Sequence, residues 1–172
     1  MVNKRKLFRN TGLVLLVIFV GIQFIRPARN LSGESANDIS KKYRVPDSVQ
    51  VILKASCYDC HSNHTEYPWY ADIQPVAWWL DHHIEEGKRD LNFNEFSSYR
   101  INRQYNKFGK IPKEVNEGGM PITSYTLIHR YAILDDAQRK LVADWANAIH
   151  DSIKAAYPAD SLKMPKRIRK PD

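Results

Sequence analysis

The pentapeptide Cys57-Tyr58-Asp59-Cys60-His61 contains both cysteines of this 172-residue chain and one of its six histidines. Two cysteines three positions apart, followed at once by a histidine, form the attachment signature for c-type haem. On one helical turn both thiols lie on the same side, where each can add to a haem vinyl group. The motif therefore predicts one covalently attached haem c, with His61 as proximal axial ligand. One imidazole nitrogen would bind the iron, and a hydrogen bond would orient the other.

The opposite side of the iron needs a second ligand, for which Met120 is the best candidate. It lies in Gly118-Gly119-Met120-Pro121, where the glycines let a loop approach the macrocycle and the proline fixes the backbone after the sulfur. A thioether ligand raises the potential, as in electron-carrying cytochromes. The alternative is that Met120 is an ordinary core residue. The other candidates for this position are His64, His82, His83, His129, His150 and Met164.

Three other interpretations of the cysteine pair remain open. A thioredoxin-type thiol pair has the same spacing, but it needs an α/β setting that the chain does not suggest. A zinc-binding structural domain would combine the cysteines with nearby histidines. A plain disulfide is the third.

The charge distribution argues against nucleic-acid binding, although the formal net charge is +7. Six of the 26 cations lie in residues 1–30 and five in residues 161–172, whereas residues 31–160 contain 15 cations and 18 acids. A phosphate-binding groove would need the positive excess on the body of the protein.

The N-terminal segment has the pattern of a membrane-targeting sequence. Four cations within residues 4–9 precede an apolar run over residues 13–25, and no good cleavage site follows. An uncleaved signal anchor is the preferred interpretation, with a cleaved signal peptide and a buried core helix as alternatives. The positive flank predicts a single-pass protein of a bacterial inner membrane, with its C-terminal part in the periplasm. The predicted organisation is an anchor over residues 1–30, a linker over 31–44, the haem domain over 45–158 and a basic tail over 159–172.

Several motifs beyond the pentapeptide carry a family resemblance. Residues 57–70 read Cys-x-x-Cys-His-Ser-Asn-x-Thr and then Tyr-Pro-Trp-Tyr, and Leu91-Asn92-Phe93-x-Glu95-Phe96 and Gly119-Met120-Pro121 follow. Over about residues 45–150 the chain resembles the bacterial haem-binding domain family, small monohaem c-type domains frequent in the Bacteroidetes. The resemblance implies haem on Cys57 and Cys60, His61 as axial ligand and Met120 opposite, in a cytochrome c-like domain.

The apolar periodicity predicts an all-α fold. A first helix begins near Asp47 and leads to the motif, a second lies between Pro75 and Gly87, and further helices are interrupted before Pro112. The last begins at Asp135 or Asp136, crosses the first helix and buries Trp145. Aromatic side chains are expected to line the haem pocket: Tyr67, Trp69, Trp78 and Trp79. Lys88 or Arg89 could pair with the haem propionates.

These observations predict an electron carrier rather than an enzyme, because no acid–base pair is evident beside the expected distal face. Its partners would be haem, the inner membrane and unidentified redox proteins, and no nucleic acid. A haem-based sensor or ligand-binding module is the main alternative, and it would need an open sixth position.

Overall fold

The computed structural model of the protein describes residues 4–165, which contain helices and no strand. This confirms the predicted all-α class. A single isolated bridge joins Leu31 and His64. The α-helices are α1 (Lys4–Ile22), α2 (Asp47–Ser56), α3 (Tyr58–His61), α4 (Val76–Asp90), α5 (Ile101–Asn116), α6 (Thr123–Thr126) and α7 (Asp136–Ala156). Five 3-10 helices lie between and after them, at Ile39–Lys41, Trp69–Asp72, Phe93–Ser98, Arg130–Ala132 and Ala159–Leu162.

The core lies between α5 and α7, with α2 packed across α7. Helix α2 buries Val49, Ile52 and Leu53, the face expected from their spacing. Helix α7 begins with a capping box, in which the Asp135 side chain accepts from the N3 backbone amide. Trp145 is buried on α7, and its indole N–H donates to the Arg44 carbonyl at 3.1 Å. The predicted crossing of the first and last domain helices is therefore confirmed.

The expected break before Pro112 is wrong, because α5 continues through this residue to Asn116. A proline inside a helix removes one backbone hydrogen bond. Pro112 is buried together with Phe108, Ile111 and Val115 on the face of α5 that packs against the core. The burial of this face offsets the lost bond.

Helix α1 contains the basic cluster and most of the predicted membrane segment. It buries none of its residues. It ends at Ile22, three residues before the apolar run does, and four cations lie within its first six residues. Within residues 4–165, none of the helices is long and apolar enough to cross a membrane.

Parts of the predicted linker and tail pack against the domain. Ile39, within the expected linker 31–44, is fully buried in the core. Leu162, within the expected tail 159–172, is buried in the same core, whereas Met164 is exposed. The rest of the tail, residues 166–172, lies outside the described residues.

Candidate functional site

Helix α3 presents the two cysteines and the histidine on a single turn. Cys57 ends α2, where its backbone N–H donates to the Leu53 carbonyl at 2.9 Å. The Cys57 carbonyl in turn accepts from the amides of Cys60 and His61, at 3.2 and 2.9 Å. Both cysteines are free thiols and partly buried. The local helical turn therefore brings the two sulfur atoms and the imidazole to one region, as the spacing predicts.

The His61 ring is oriented by the C-terminal end of α4. Its Nδ1–H donates to the carbonyls of Gly87 and Leu91, at 3.0 and 2.9 Å. This arrangement fixes the tautomer and leaves Nε2 as the nitrogen available to a metal. Burial lowers the pKa of His61, although the two carbonyl bonds oppose this shift. His61 is therefore neutral at neutral pH, which is the form that binds iron.

Gly87 is required by the close packing of α4 on α3. A Cβ atom at this position would lie 2.5 Å from the Cys60 carbonyl oxygen, closer than real Cβ contacts. The absent side chain lets α4 approach the motif, so that two α4-end carbonyls reach the His61 ring.

Two cavities meet at the motif. One, of about 390 Å³, is lined by Cys57, Cys60, His61 and Met120. The other, of about 290 Å³, is also lined by Cys57, His61 and Met120, and its remaining wall is mainly apolar. We call the two cavities together the cleft. Its volume, its apolar lining and its sulfur and imidazole donors match the requirements of a flat apolar macrocycle that carries an iron atom.

Met120 faces both parts of the cleft from the loop after α5. Its backbone N–H donates to the Glu114 carbonyl at 3.1 Å, and its residue exposure is 36 %. Gly118 has a φ of +74°, a left-handed conformation that glycine adopts without strain. The loop geometry that the glycine-rich sequence predicts is therefore present.

Of the histidines considered as distal ligands, only His83 lines the cleft. Its Nδ1 is 2.8 Å from the Trp79 carbonyl oxygen. The other four lie in contact with side chains elsewhere: His64 beside Glu66, His82 beside Glu86, His129 between Tyr70 and Tyr131, and His150 stacked on Tyr105.

Burial disfavours the thiolate form of both cysteines. Burial raises the pKa of Cys57 to about 12, with a contribution from Cys60. Burial, together with Asp59, raises the pKa of Cys60 to about 11. Reactive and metal-binding cysteines have lowered pKa values. Within the described residues, no three His, Cys, Asp or Glu side chains form a group that could hold a metal ion.

Lys107 and Lys110 are cleft residues that the sequence analysis missed. Both line the smaller cavity, and Lys107 is buried there, with its Nζ 2.5 Å from Asp90 Oδ1. A lysine is rarely buried unless it is paired. Their i, i+3 spacing on α5, beside the core residue Ile111, is the only sequence signal for this placement.

The lysine and arginine predicted for the propionates lie elsewhere. Lys88 Nζ donates to Asn30 Oδ1 at 2.8 Å, and Arg89 lies 3.6 Å from Glu86. Neither lines the cleft within the described structure. Lys107 and Lys110 are therefore the cations that the structure offers to haem carboxylates.

The four aromatic residues predicted for the pocket divide into two pairs. Trp69 and Trp79 line a third cavity, of about 220 Å³, which shares Cys60 with the cleft. Trp78 donates its indole N–H to the Ile25 carbonyl at 2.9 Å. The Tyr67 hydroxyl accepts from the Asn30 amide at 2.8 Å. Trp78 and Tyr67 thus bind the N-terminal segment rather than line the cleft.

The polar residues around the motif hold the loop that follows it. The Asn63 amide N–H donates to Asn94 Oδ1 at 2.8 Å, and its side chain donates to Glu95 Oε1 at 2.8 Å. On the other side, the Tyr125 hydroxyl donates to Asp59 Oδ2 at 2.5 Å. Burial raises the pKa of Tyr125, and the contact with Asp59 adds to this effect. These contacts fix the loop after the motif to the 3-10 helix Phe93–Ser98 and fix Asp59 to Tyr125.

The family model for a haem-binding domain matches residues 17–148, most of the chain. The chain belongs to the haem-binding domain family. Searches of curated proteins and of solved structures found no match. The matched range of this haem-binding domain contains every residue that lines the cleft. The residues present also fit the group, because two thiols, an oriented imidazole, a thioether and two ammonium groups border the cleft.

Proposed function

We propose that this haem-binding domain is a monohaem c-type cytochrome that carries single electrons between redox partners. Cys57 and Cys60 would hold the haem through thioether bonds, with His61 and Met120 as axial ligands. The observation that carries the proposal is the double carbonyl contact to His61 Nδ1, which leaves Nε2 for iron beside two free thiols. A bound haem would supply a one-electron couple, and the protein would supply orientation, burial and electrostatics.

The residues around the cleft have distinct roles in this proposal. The carbonyls of Gly87 and Leu91 orient the proximal imidazole and increase its basicity as a ligand. Met120 favours the ferrous state from the other side. Lys107 and Lys110 provide positive charge for the two carboxylates, and an ammonium group has three protons, so Lys107 can bind a carboxylate while it keeps Asp90.

Export and membrane attachment complete the proposal. We place the domain on the outer face of a bacterial inner membrane, attached through the N-terminal segment. Support comes from the basic cluster in residues 4–9, from the apolar side chains that follow it, and from the cysteine–haem chemistry, which is carried out outside the cytoplasm. The cytochrome c-like character of the helical domain belongs to the same proposal.

The decisive experiment is mass spectrometry of the full chain, expressed in a host that attaches haem c. The expected mass is that of the chain plus one haem, and the variant with both Cys57→Ser and Cys60→Ser should lack the added mass. A wild-type mass without haem in that host would refute covalent attachment.

The visible spectrum separates an electron carrier from a sensor. We expect a low-spin reduced spectrum that carbon monoxide does not change, since both axial positions are filled. A five-coordinate spectrum that shifts with carbon monoxide would favour the sensor or ligand-binding alternative.

A further inference from the structure

Helix α1 exposes apolar side chains on all sides. No residue of this helix is buried, and the large apolar side chains over residues 13–20 have residue exposures between 46 % and 70 %. A helix that is apolar all around requires an apolar environment. The residue that directly follows this helix, Gln23, is hydrogen-bonded to the domain at Gln74.

That end is fixed to the domain by a set of hydrogen bonds. The side chain of Gln23 pairs with the backbone of Gln74. Gln74 N donates to Gln23 Oε1 at 2.9 Å, and Gln23 Nε2 donates to Gln74 O at 3.3 Å. The Ile25 carbonyl accepts from Gln74 Nε2 at 2.8 Å and from the Trp78 indole at 2.9 Å. We call these contacts the clamp. Because Gln74 is almost fully buried, the clamp ties the direction of α1 to the domain.

Two ion pairs lie beside the clamp. Arg26 and Arg29 both contact Asp72 Oδ1, at 3.0 and 2.5 Å. Both guanidinium groups are about half exposed, so they also face solvent. The exit of α1, by which we mean the segment 23–29 that leads from the helix to the domain, therefore has positively charged side chains beside it.

An exposed apolar surface lies next to this exit. It consists of Trp69, Val76, Trp79 and Ile128, with residue exposures of 77 %, 37 %, 43 % and 62 %, and we call it the aromatic ledge. Trp69 begins the 3-10 helix that ends at Asp72, and Trp79 directly follows Trp78 in α4. The aromatic ledge is therefore joined to the clamp through the 3-10 helix Trp69–Asp72 and through α4.

The ledge has the composition of a membrane interface. Tryptophan is enriched where protein meets the headgroup region of a bilayer, because its ring is apolar and its N–H is polar. Exposed arginines near a membrane surface attract anionic lipids. Contiguous exposed apolar patches on soluble domains mark contact sites. The aromatic ledge and the neighbouring helix α1 both require an apolar environment.

We infer that the aromatic ledge lies against the lipid headgroups of the bilayer into which α1 inserts. The inference rests on the membrane attachment proposed above. The cavity under the ledge shares Cys60, His83 and Tyr125 with the cleft. The Cys60 side of the cleft therefore lies toward the lipid surface, and redox partners approach the haem either along the membrane or from the opposite side.

The experiment uses the four tryptophans as reporters in the reduced, full-length protein. The chain is labelled with 5-fluorotryptophan and placed in nanodiscs of phosphatidylcholine and phosphatidylglycerol that contain a gadolinium-chelating lipid. Single Trp→Phe variants assign the fluorine signals. We expect several-fold stronger broadening for Trp69 and Trp79 than for Trp145, which is buried between α7 and the rest of the core.

The controls make the outcomes distinct. Gln23→Ala removes two bonds of the clamp and should reduce the broadening of Trp69 and Trp79 while leaving haem content unchanged. Broadening of Trp69 and Trp79 no stronger than that of Trp145 would overturn the inference. The inference would also be overturned if a water-soluble gadolinium chelate broadened both signals more than the gadolinium-chelating lipid does. That result would place the ledge in water or against a soluble partner.

Failure of the proposed function is recognised separately. Protein that carries one haem by mass but shows no lipid-dependent broadening refutes the ledge and leaves the cytochrome intact. Protein that lacks haem but shows the broadening refutes the cytochrome and supports the ledge. Protein that does not remain with the nanodiscs refutes both the membrane attachment and the ledge.

Discussion

The two sides of the cleft are constructed differently. On the His61 side, two helices meet across a glycine contact, and two carbonyls hold the imidazole. On the Met120 side, a short loop with one left-handed glycine carries the thioether, which is partly exposed. The position of His61 is determined by packing at many points, whereas the position of Met120 is determined by a few backbone angles. We therefore expect substitutions on the His61 side to affect folding, and those on the Met120 side to affect the redox properties of a folded protein.

Met120→Ala should produce the largest change in the holoprotein without unfolding it. Loss of the thioether should abolish the weak far-red sulfur-to-iron band, permit carbon monoxide binding and lower the potential by a sizeable part of the roughly 0.8 V range that axial ligands span. The spectrum of the oxidised protein tests the first effect, addition of carbon monoxide to the reduced protein tests the second, and optical redox titration measures the third. Met164→Ala is the matched control, since Met164 is exposed and lies outside the cleft. A far-red band that persists in Met120→Ala would show that another residue is the ligand.

Gly87→Ala should damage the His61 side. The added methyl group would meet the Cys60 carbonyl oxygen at 2.5 Å, so α4 must shift, and we expect a loss of about 1–3 kcal/mol of stability from this overpacking. Urea unfolding measures the loss. In Gly109→Ala, the control within α5, the new Cβ meets only the His150 ring, at 3.3 Å, and alanine favours the helix. Equal stability of the two variants would refute the close-packing role of Gly87.

The alkaline destabilisation that the thiols contribute should be present only before haem is attached. The pKa of Cys57 is raised to about 12 in the folded state from an ordinary value of 9.0, because burial disfavours the thiolate. The stabilising effect is complete below pH 9 and is lost as the pH rises toward the folded pKa, at about 1.4 kcal/mol per pH unit for a fully shifted group. Denaturant unfolding of the haem-free chain between pH 8 and pH 10 measures this slope.

The thioether bonds remove both thiols, so the holoprotein should lack the thiol contribution to the slope that the haem-free chain shows between pH 9 and 10. The haem-free variant with Cys57→Ser and Cys60→Ser is the control and should lack it as well. A holoprotein with the same alkaline slope as the haem-free chain would contradict covalent attachment through these cysteines.

Lys107→Met should have the smallest effect. It removes one positive charge from the cleft wall, and a single charge contributes about 1 kcal/mol over ~15 Å at an effective dielectric constant of about 20. That energy corresponds to a fall in potential on the order of 50 mV for a one-electron couple. Potentiometry measures the shift. Lys113→Gln, on the same helix but outside the cleft lining, should change the potential much less. Equal shifts in the two variants would contradict a role of Lys107 near the haem.

The motif and the helices could be predicted because they depend on short-range patterns. Two thiols and an imidazole within five residues specify a cofactor without reference to the rest of the chain. Likewise, the spacing of Val49, Ile52 and Leu53 predicts the buried face of α2, and Asp135 marks the start of α7. The prediction over Pro112 was wrong because the local rule against proline was outweighed by long-range packing of α5 on α7.

The residues that surround the cysteine–histidine motif could be identified only from the three-dimensional structure. Lys107 is about 50 positions from the cysteines and reaches the cleft only through the way α5 packs, whereas the nearer Lys88 pairs with Asn30. The tyrosine and tryptophan at positions 67 and 78 have the composition of pocket residues, yet they hold the N-terminal segment.

The amino-acid sequence alone thus specified the haem-binding family and the helical class, and it predicts the ligand under the iron, because each depends on residues that are neighbours along the chain. The folded chain decided which cations border the cleft, which carbonyls orient His61 and which aromatic residues face outward. Those outcomes depend on how helices far apart in sequence pack against one another, and side-chain type and spacing along the chain do not encode that packing locally.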